Sequence, residues 1–176
     1  MKILFLFLFA AAIIALSALN TNAQVITKYG DNVSTLDGII KAYYDVVTVK
    51  KGGKVLYERD SLIHWPNVYI GASGVNRQGK PTMQYVSLKQ YHRLSDAGLE
   101  RDGFDEREIS RKVEKFGNIY HVWSTYESRN TTDGPVIDRG INSIELFNDG
   151  IRFWIMGWIY DGERKTNPIP TEYLNK

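Results

Sequence analysis

Apolar residues recur along this chain with two different spacings, and the change from one to the other falls near Gly103. From residue 34 to 48, STLDGIIKAYYDVVT sets Leu36, Ile39, Ile40, Tyr43 and Val47 three and four apart, the spacing that aligns one face of a helix. Ser34 or Thr35 supplies an N-cap, and Asp37 places a negative charge near the positive end of the helix dipole. Gly52 and Gly53 break the pattern. KVLYERD then predicts a second short helix running into a strand, LIHWPNVYIG, in which Pro66 demands an edge or a bulge because it cannot donate to a ladder. GASGVNRQGKP reads as a loop. A third helix is predicted from Ser87 to about Gly98, with Leu88, Tyr91 and Leu94 on one face.

Beyond Gly103 the period drops to two. FDEREISRKVEKF, IYHVWSTYESR, residues 137 to 147 and residues 152 to 161 each predict a strand, and Asn-Asp-Gly at 148–150 between two apolar runs signals a tight hairpin. The last strand, FWIMGWIYDG, puts Trp154, Met156, Trp158 and Tyr160 on one face and Phe153, Ile155 and Ile159 on the other, which predicts a cover on both sides. Three helices followed by a run of antiparallel strands make the fold α+β.

Composition bounds the compartment and the partners. The first residues, MKILFLFLFAAAIIALSALNTNAQ, join Lys2 to an apolar run and to small residues at Thr21 and Ala23. This is the pattern of a secretory signal cut after Ala23, giving a secreted or periplasmic protein; the run is also long enough to serve as a retained anchor. The expected organisation is a signal at 1–23, one domain at 24–165 and a tail at 166–176. The chain has no cysteine, which excludes disulfides and thiolate metal sites. Without Lys2 the 22 basic residues become 21 against 20 acidic ones, scattered in sign, which gives no electrostatic basis for a nucleic-acid or membrane partner after signal cleavage.

No cofactor is expected, since Gly71, Gly74 and Gly79 lack the strand-turn-helix setting of a dinucleotide fingerprint. No metal is expected either, because His64, His92 and His121 share no ligand spacing. Pairing the strands around NTTDGP sets Glu127 opposite Arg139, Thr125 opposite Ile141, Trp123 opposite Ser143 and His121 opposite Glu145, all on one face. An imidazole near a carboxylate can serve as a general base, so His121, Glu145 and His64 are the catalytic candidates. The bland reading makes His121 and Glu145 a polar rim pair and Glu127 with Arg139 a cross-strand ion pair.

The element order, with AYYDVV on the first helix, LYERDSLIHWP, FGNIYHVWSTYE and SIELFNDGIRFWI, resembles the nuclear transport factor 2-like superfamily, which includes the SnoaL-like and ketosteroid isomerase families. The resemblance spans roughly residues 33–162. It implies three helices packed on a strongly curved antiparallel sheet, a cone with an internal cavity, and a homodimer through the outer sheet face. It further implies that the face of His121, Trp123, Ser143 and Glu145 looks inward, joined by Trp154, Met156, Trp158 and Tyr160. Val122, Tyr126, Ile144, Leu146, Phe153, Ile155 and Ile159 would then form an apolar outer interface.

The isomerase machinery is incomplete in this chain. Trp65 stands where the general base is expected before the proline, Ser143 stands at the oxyanion acid's position, and Tyr43 alone has a counterpart. The expected function is binding of a small apolar or aromatic molecule by a pocket of Tyr43, Trp65, Trp123, Ser143, Met156 and Trp158. One alternative is a SnoaL-like enzyme using a His/Glu acid-base pair. Another is a homodimeric interaction module whose cavity is filled by its own tryptophans.

Overall fold

A computed structural model describes residues 33–174. The signal at 1–23 and the start of the domain at 24 lie outside the described residues. Helix α1 spans Leu36–Val47, capped by Thr35, whose hydroxyl accepts from the Gly38 amide at 3.1 Å. Its predicted face is the buried one: Ile39, Ile40 and Tyr43 lie in the core. Helix α2 is short, Tyr57–Ile63. The chain then turns through Trp65, Pro66 and Asn67, with the Trp65 amide donating to the Ile155 carbonyl at 2.8 Å. Strand β1 starts only at Tyr69 and runs to Val75, so Pro66 sits in the approach to an interior strand rather than on an edge.

The segment read as a loop is a hairpin. β1 pairs antiparallel with β2, Pro81–Ser87. The turn between them is closed by Asn76, whose side-chain oxygen accepts from the Gln78 and Lys80 amides at 2.9 and 3.0 Å. Pro81 opens an edge strand, where a missing donor costs little. Helix α3 is Leu88–Asp102 and passes through Gly98 instead of ending there. Glu100 explains the extra turn: its carboxylate binds Lys54 at 2.6 Å and the Val55 amide at 3.1 Å, which offsets the roughly 1 kcal/mol cost of an interior glycine. Gly103, at φ 79°, terminates the helix.

Strands β3 (Asp105–Phe116), β4 (Ile119–Arg129), β5 (Asp138–Asn148) and β6 (Phe153–Gly162) follow as a meander. The full order is β2-β1-β6-β5-β4-β3, antiparallel throughout except for β1 beside β6. The sheet is therefore mixed, and the chain is an α+β fold with its helices on one sheet face. Bulges at Ile109 in β3 and Met156 in β6 interrupt the ladders; such insertions bend a strand and increase its twist, and the sheet curls around the helices. No helix among the described residues is long and apolar enough to cross a membrane.

The β4–β5 register is the predicted one, with Glu127 opposite Arg139 and His121 opposite Glu145. The faces are reversed. Val122, Tyr126, Ile144, Leu146, Phe153 and Ile155 are the core beneath the helices, each 5% exposed or less, and cannot form an outer interface. His121, Trp123, Ser143 and Glu145 consequently lie on the outer face. In β6 the extra residue Met156 shifts the alternation: Ile155 and Trp158 both point to the core, while Trp154, Met156 and Ile159 point away. Gly157 makes this possible with φ 146°, a backbone state that side chains rarely adopt.

Candidate functional site

Between the helices and the curled sheet lies a cavity of about 380 Å³. All six strands and two helices contribute to its wall. Tyr43 comes from α1, Tyr91 from α3, Glu106 from β3, Tyr126 from β4, Asp138 and Asn142 from β5, and Trp158 and Tyr160 from β6. Trp158 is the hub of the aromatic wall, with the rings of Tyr43 and Tyr91 edge-on at 5.6 and 5.2 Å and Tyr160 at 6.0 Å. Gly140 makes room for Tyr126, since a Cβ there would lie 2.5 Å from the Tyr126 hydroxyl.

Two carboxylates face this wall. Glu106 and Asp138 both align with Ser128, one from each neighbouring strand, which sets their Cα atoms roughly 10 Å apart by strand spacing. Asp138 is exposed at the mouth and accepts from the Tyr126 hydroxyl at 3.2 Å. Glu106 is deeper, its remaining accessible surface opening onto the concavities it borders. Loss of water pushes the Glu106 carboxyl up to about 8; the Asp138 charge adds to the rise, and a hydrogen bond to Asn142 opposes it. Burial also raises Tyr43, Tyr91 and Tyr126, reinforced by the Glu106 charge, so these phenols remain neutral donors.

Behind the wall, a second polar chain holds Trp158 in place. Its indole N–H donates to His64 Nε2 at 3.2 Å, which leaves the His64 hydrogen on Nδ1, directed at the Asp60 carbonyl at 2.9 Å. Asp60 Oδ1 lies 3.1 Å from the same nitrogen at ion-pair distance, and its Oδ2 meets His92 Nε2 at 2.7 Å. His92 Nδ1 reaches Asp96 at 2.9 Å. Asp60, His64 and His92 are at most 4% exposed. Burial alone would raise Asp60, but the charge that His64 and His92 carry once protonated in acid, with their hydrogen bonds, prevails and brings it to about 2. Burial alone would lower His92, but its bonds and attraction to Asp60 and Asp96 raise it. His92, on α3, is thus part of the interior.

Among the sequence-derived pocket residues, Tyr43 and Trp158 line the cavity. Trp65, Trp123, Ser143 and Met156 do not, because the face they share points away from the helices. Trp65 packs on Trp154 at 5.4 Å. Trp123 and Ser143 border a separate outer groove partly covered by residues 167–170. The tail is a strap across that face: the Tyr173 carbonyl accepts from Thr125 Oγ1 at 2.6 Å, and its ring stands 5.9 Å from Trp123.

The three catalytic candidates are not brought together. His121 binds Ser143 at 2.9 Å and lies 3.9 Å from Glu145 on the outer face, whereas His64 has its Nε2 lone pair engaged by Trp158. Glu127 and Arg139, though opposite each other, pair elsewhere, with Arg129 at 2.5 Å and Glu163 at 3.4 Å. No group of three metal-ligating side chains is found among the described residues.

No protein-family model matches the sequence, and no curated protein matches it. Solved structures are similar to it over most of their length. A nuclear transport factor 2-like protein of unknown function from Shewanella baltica is 10% identical, with 72% of this chain and 90% of that chain covered and a TM-score of 0.46. One of the same description from Silicibacter pomeroyi is 14% identical, covering 71% and 90%, at 0.47. A protein from Kribbella flavida is 14% identical, covering 83% and 93%, at 0.47. The chain's own features are helices on one face of a curled mixed sheet, with a cavity between them.

Proposed function

We propose that this is an exported protein that binds a small molecule with a largely apolar or aromatic body in the cavity between α1, α3 and the sheet. The observation that carries the reading is the cavity itself, about 380 Å³ walled by Tyr43, Tyr91, Tyr126, Trp158 and Tyr160 with two carboxylates among them. Concave, aromatic-lined space with a few convergent polar groups is the usual form of a small-molecule site. The export part rests on the N-terminal sequence. If the bound molecule is also turned over, Glu106 and Asp138 are the titratable side chains placed to exchange protons with it, Glu106 because its carboxyl is raised into the neutral range.

Native mass spectrometry tests the binding reading on protein prepared from its exported form, beside an Ala72→Phe variant that fills the cavity from β1. The expected result is a discrete small-molecule adduct on the wild type and its loss in the variant. An adduct equally abundant in both, or none on the wild type, contradicts the reading.

A further inference from the structure

The cavity's charge is one-sided. Its acidic lining residues are Glu106 and Asp138, and no Lys, Arg or His is among the described residues that line it. Neither carboxylate is in an ion pair among the described residues, although most other charged side chains of the sheet are paired, such as Arg107 with Asp105 and Arg164 with Asp161. A carboxylate brought out of water without a counter-charge is expensive. An enclosure that holds Glu106 away from water, with Asp138 exposed at its mouth and no cationic side chain in its wall, is electrostatically incomplete. The rest of the wall is aromatic, and aromatic rings attract cations through their quadrupoles, most strongly for Trp and Tyr. Charge and ring chemistry select the same ligand.

We propose that the molecule taken into the cavity is an organic cation, an amine or quaternary ammonium group on an apolar body, whose charge is met by Glu106 and Asp138 and by the rings around Trp158. This rests on the binding reading above and names its ligand class. The cation enters past Asp138 and settles against Glu106, while its apolar body lies along Tyr43, Tyr91 and Trp158. A proton linkage follows. Near neutral pH Glu106 holds a proton in the empty cavity because burial and Asp138 raise it to about 8. A bound cation stabilises the ionised carboxylate, so binding expels that proton. Affinity for a cation therefore rises with pH through that range, whereas affinity for a neutral analogue does not.

The test uses three indoles that differ only in the terminal group: tryptamine, tryptophol and indole-3-propionate. Each is titrated calorimetrically into the full mature protein in two buffers of different ionisation enthalpy. Tryptamine should bind about tenfold or more tighter than tryptophol, with up to one proton released near pH 7 and less near pH 9. The Glu106→Gln, Asp138→Asn double variant should lose that preference and the proton release while its tryptophol affinity is kept, and tryptophol binding by the variant shows that the cavity is intact. Equal or stronger binding of tryptophol or indole-3-propionate to the wild type overturns the cation assignment and leaves the cavity reading standing. Absence of binding by all three overturns the assignment as well. Retention of a neutral adduct in the mass spectrometric experiment overturns it independently.

Discussion

Glu106 is the residue on which most of the site's behaviour turns. Its folded value lies near 8 against an ordinary value of 4.5, so the native state holds its proton more tightly than the unfolded chain does. Its stabilising influence is complete below the ordinary value and lost as pH rises through the folded one. Glu106→Gln removes that dependence. Chemical denaturation should show the variant more stable than wild type by a few kcal/mol near pH 9 and almost unchanged near pH 5; a variant destabilised equally at both would contradict a deeply held carboxyl. Asp60 has the opposite sign. Its carboxyl is lowered from 3.8 to about 2, so its contribution, about 2 kcal/mol, is present above pH 3.8 and lost as pH falls through 2. Asp60→Asn should lower the denaturant midpoint near pH 7 and move Trp158 emission, because the carboxylate charge beside His64 Nδ1, which steadies the imidazole that holds the indole, is lost. An unchanged emission spectrum would show that the chain from Asp60 does not reach the cavity wall. Glu106 was hidden in the sequence because FDEREISRKVEKF reads as a polar surface strand. Only alignment against Ser128, on the far side of the bulge at Ile109, brings it to the cavity.

At the scale of elements, turns were more legible than faces. NTTDGP and NDG set the β4–β5–β6 ladder, and the β4–β5 pairs are those the turn implies. The face turned inward is not the one the resemblance implies, and β6, apolar on both of its sides, does not decide between them. A residue-type argument separates them: Val122, Ile144 and Ile155 are aliphatic and fully buried, whereas Trp123, Trp154 and Met156 tolerate partial exposure. The bulge in β6 was the second obstacle. Strict alternation groups Trp158 with Trp154 and Met156, but Gly157 rephases the strand and sends Trp158, with Tyr160, to the cavity. Gly157→Val should cost about 1–3 kcal/mol, since a Cβ would lie 3.1 Å from the Tyr69 carbonyl at a strained φ. Trp158 should also become more accessible to acrylamide. Wild-type stability and quenching would contradict a bulge that depends on glycine. The β1–β2 hairpin is masked in the sequence because Gly71, Gly74 and Gly79 crowd it with loop signals, although Asn76 closes an ordinary turn.

Across the whole molecule, the sheet carries two different surfaces, and the three readings of function divide between them. The helix face encloses the aromatic cavity, and the outer face carries His121, Glu145 and a groove beneath the C-terminal strap. Separation by the sheet implies independence. Deleting residues 168–176 should raise the quenching of Trp123, which loses Tyr173, without altering Trp158 or ligand affinity; a change at Trp158 would show that the strap supports the cavity. The α+β class and helix order were legible because hydrophobic period distinguishes helix from strand. The location of the site was not, because it depends on the handedness of one strand's faces. The four tryptophans divide along that line: Trp158 lies in the cavity, and Trp65, Trp123 and Trp154 lie outside it. The most direct measurement is therefore fluorine NMR of protein labelled with 5-fluorotryptophan, each resonance assigned by a single Trp→Phe substitution, during titration with tryptamine and tryptophol. Ligand in the helix-side cavity predicts that the Trp158 resonance shifts and saturates while the other three hold still. A shift at Trp123 in its place, or no movement at Trp158, would contradict it.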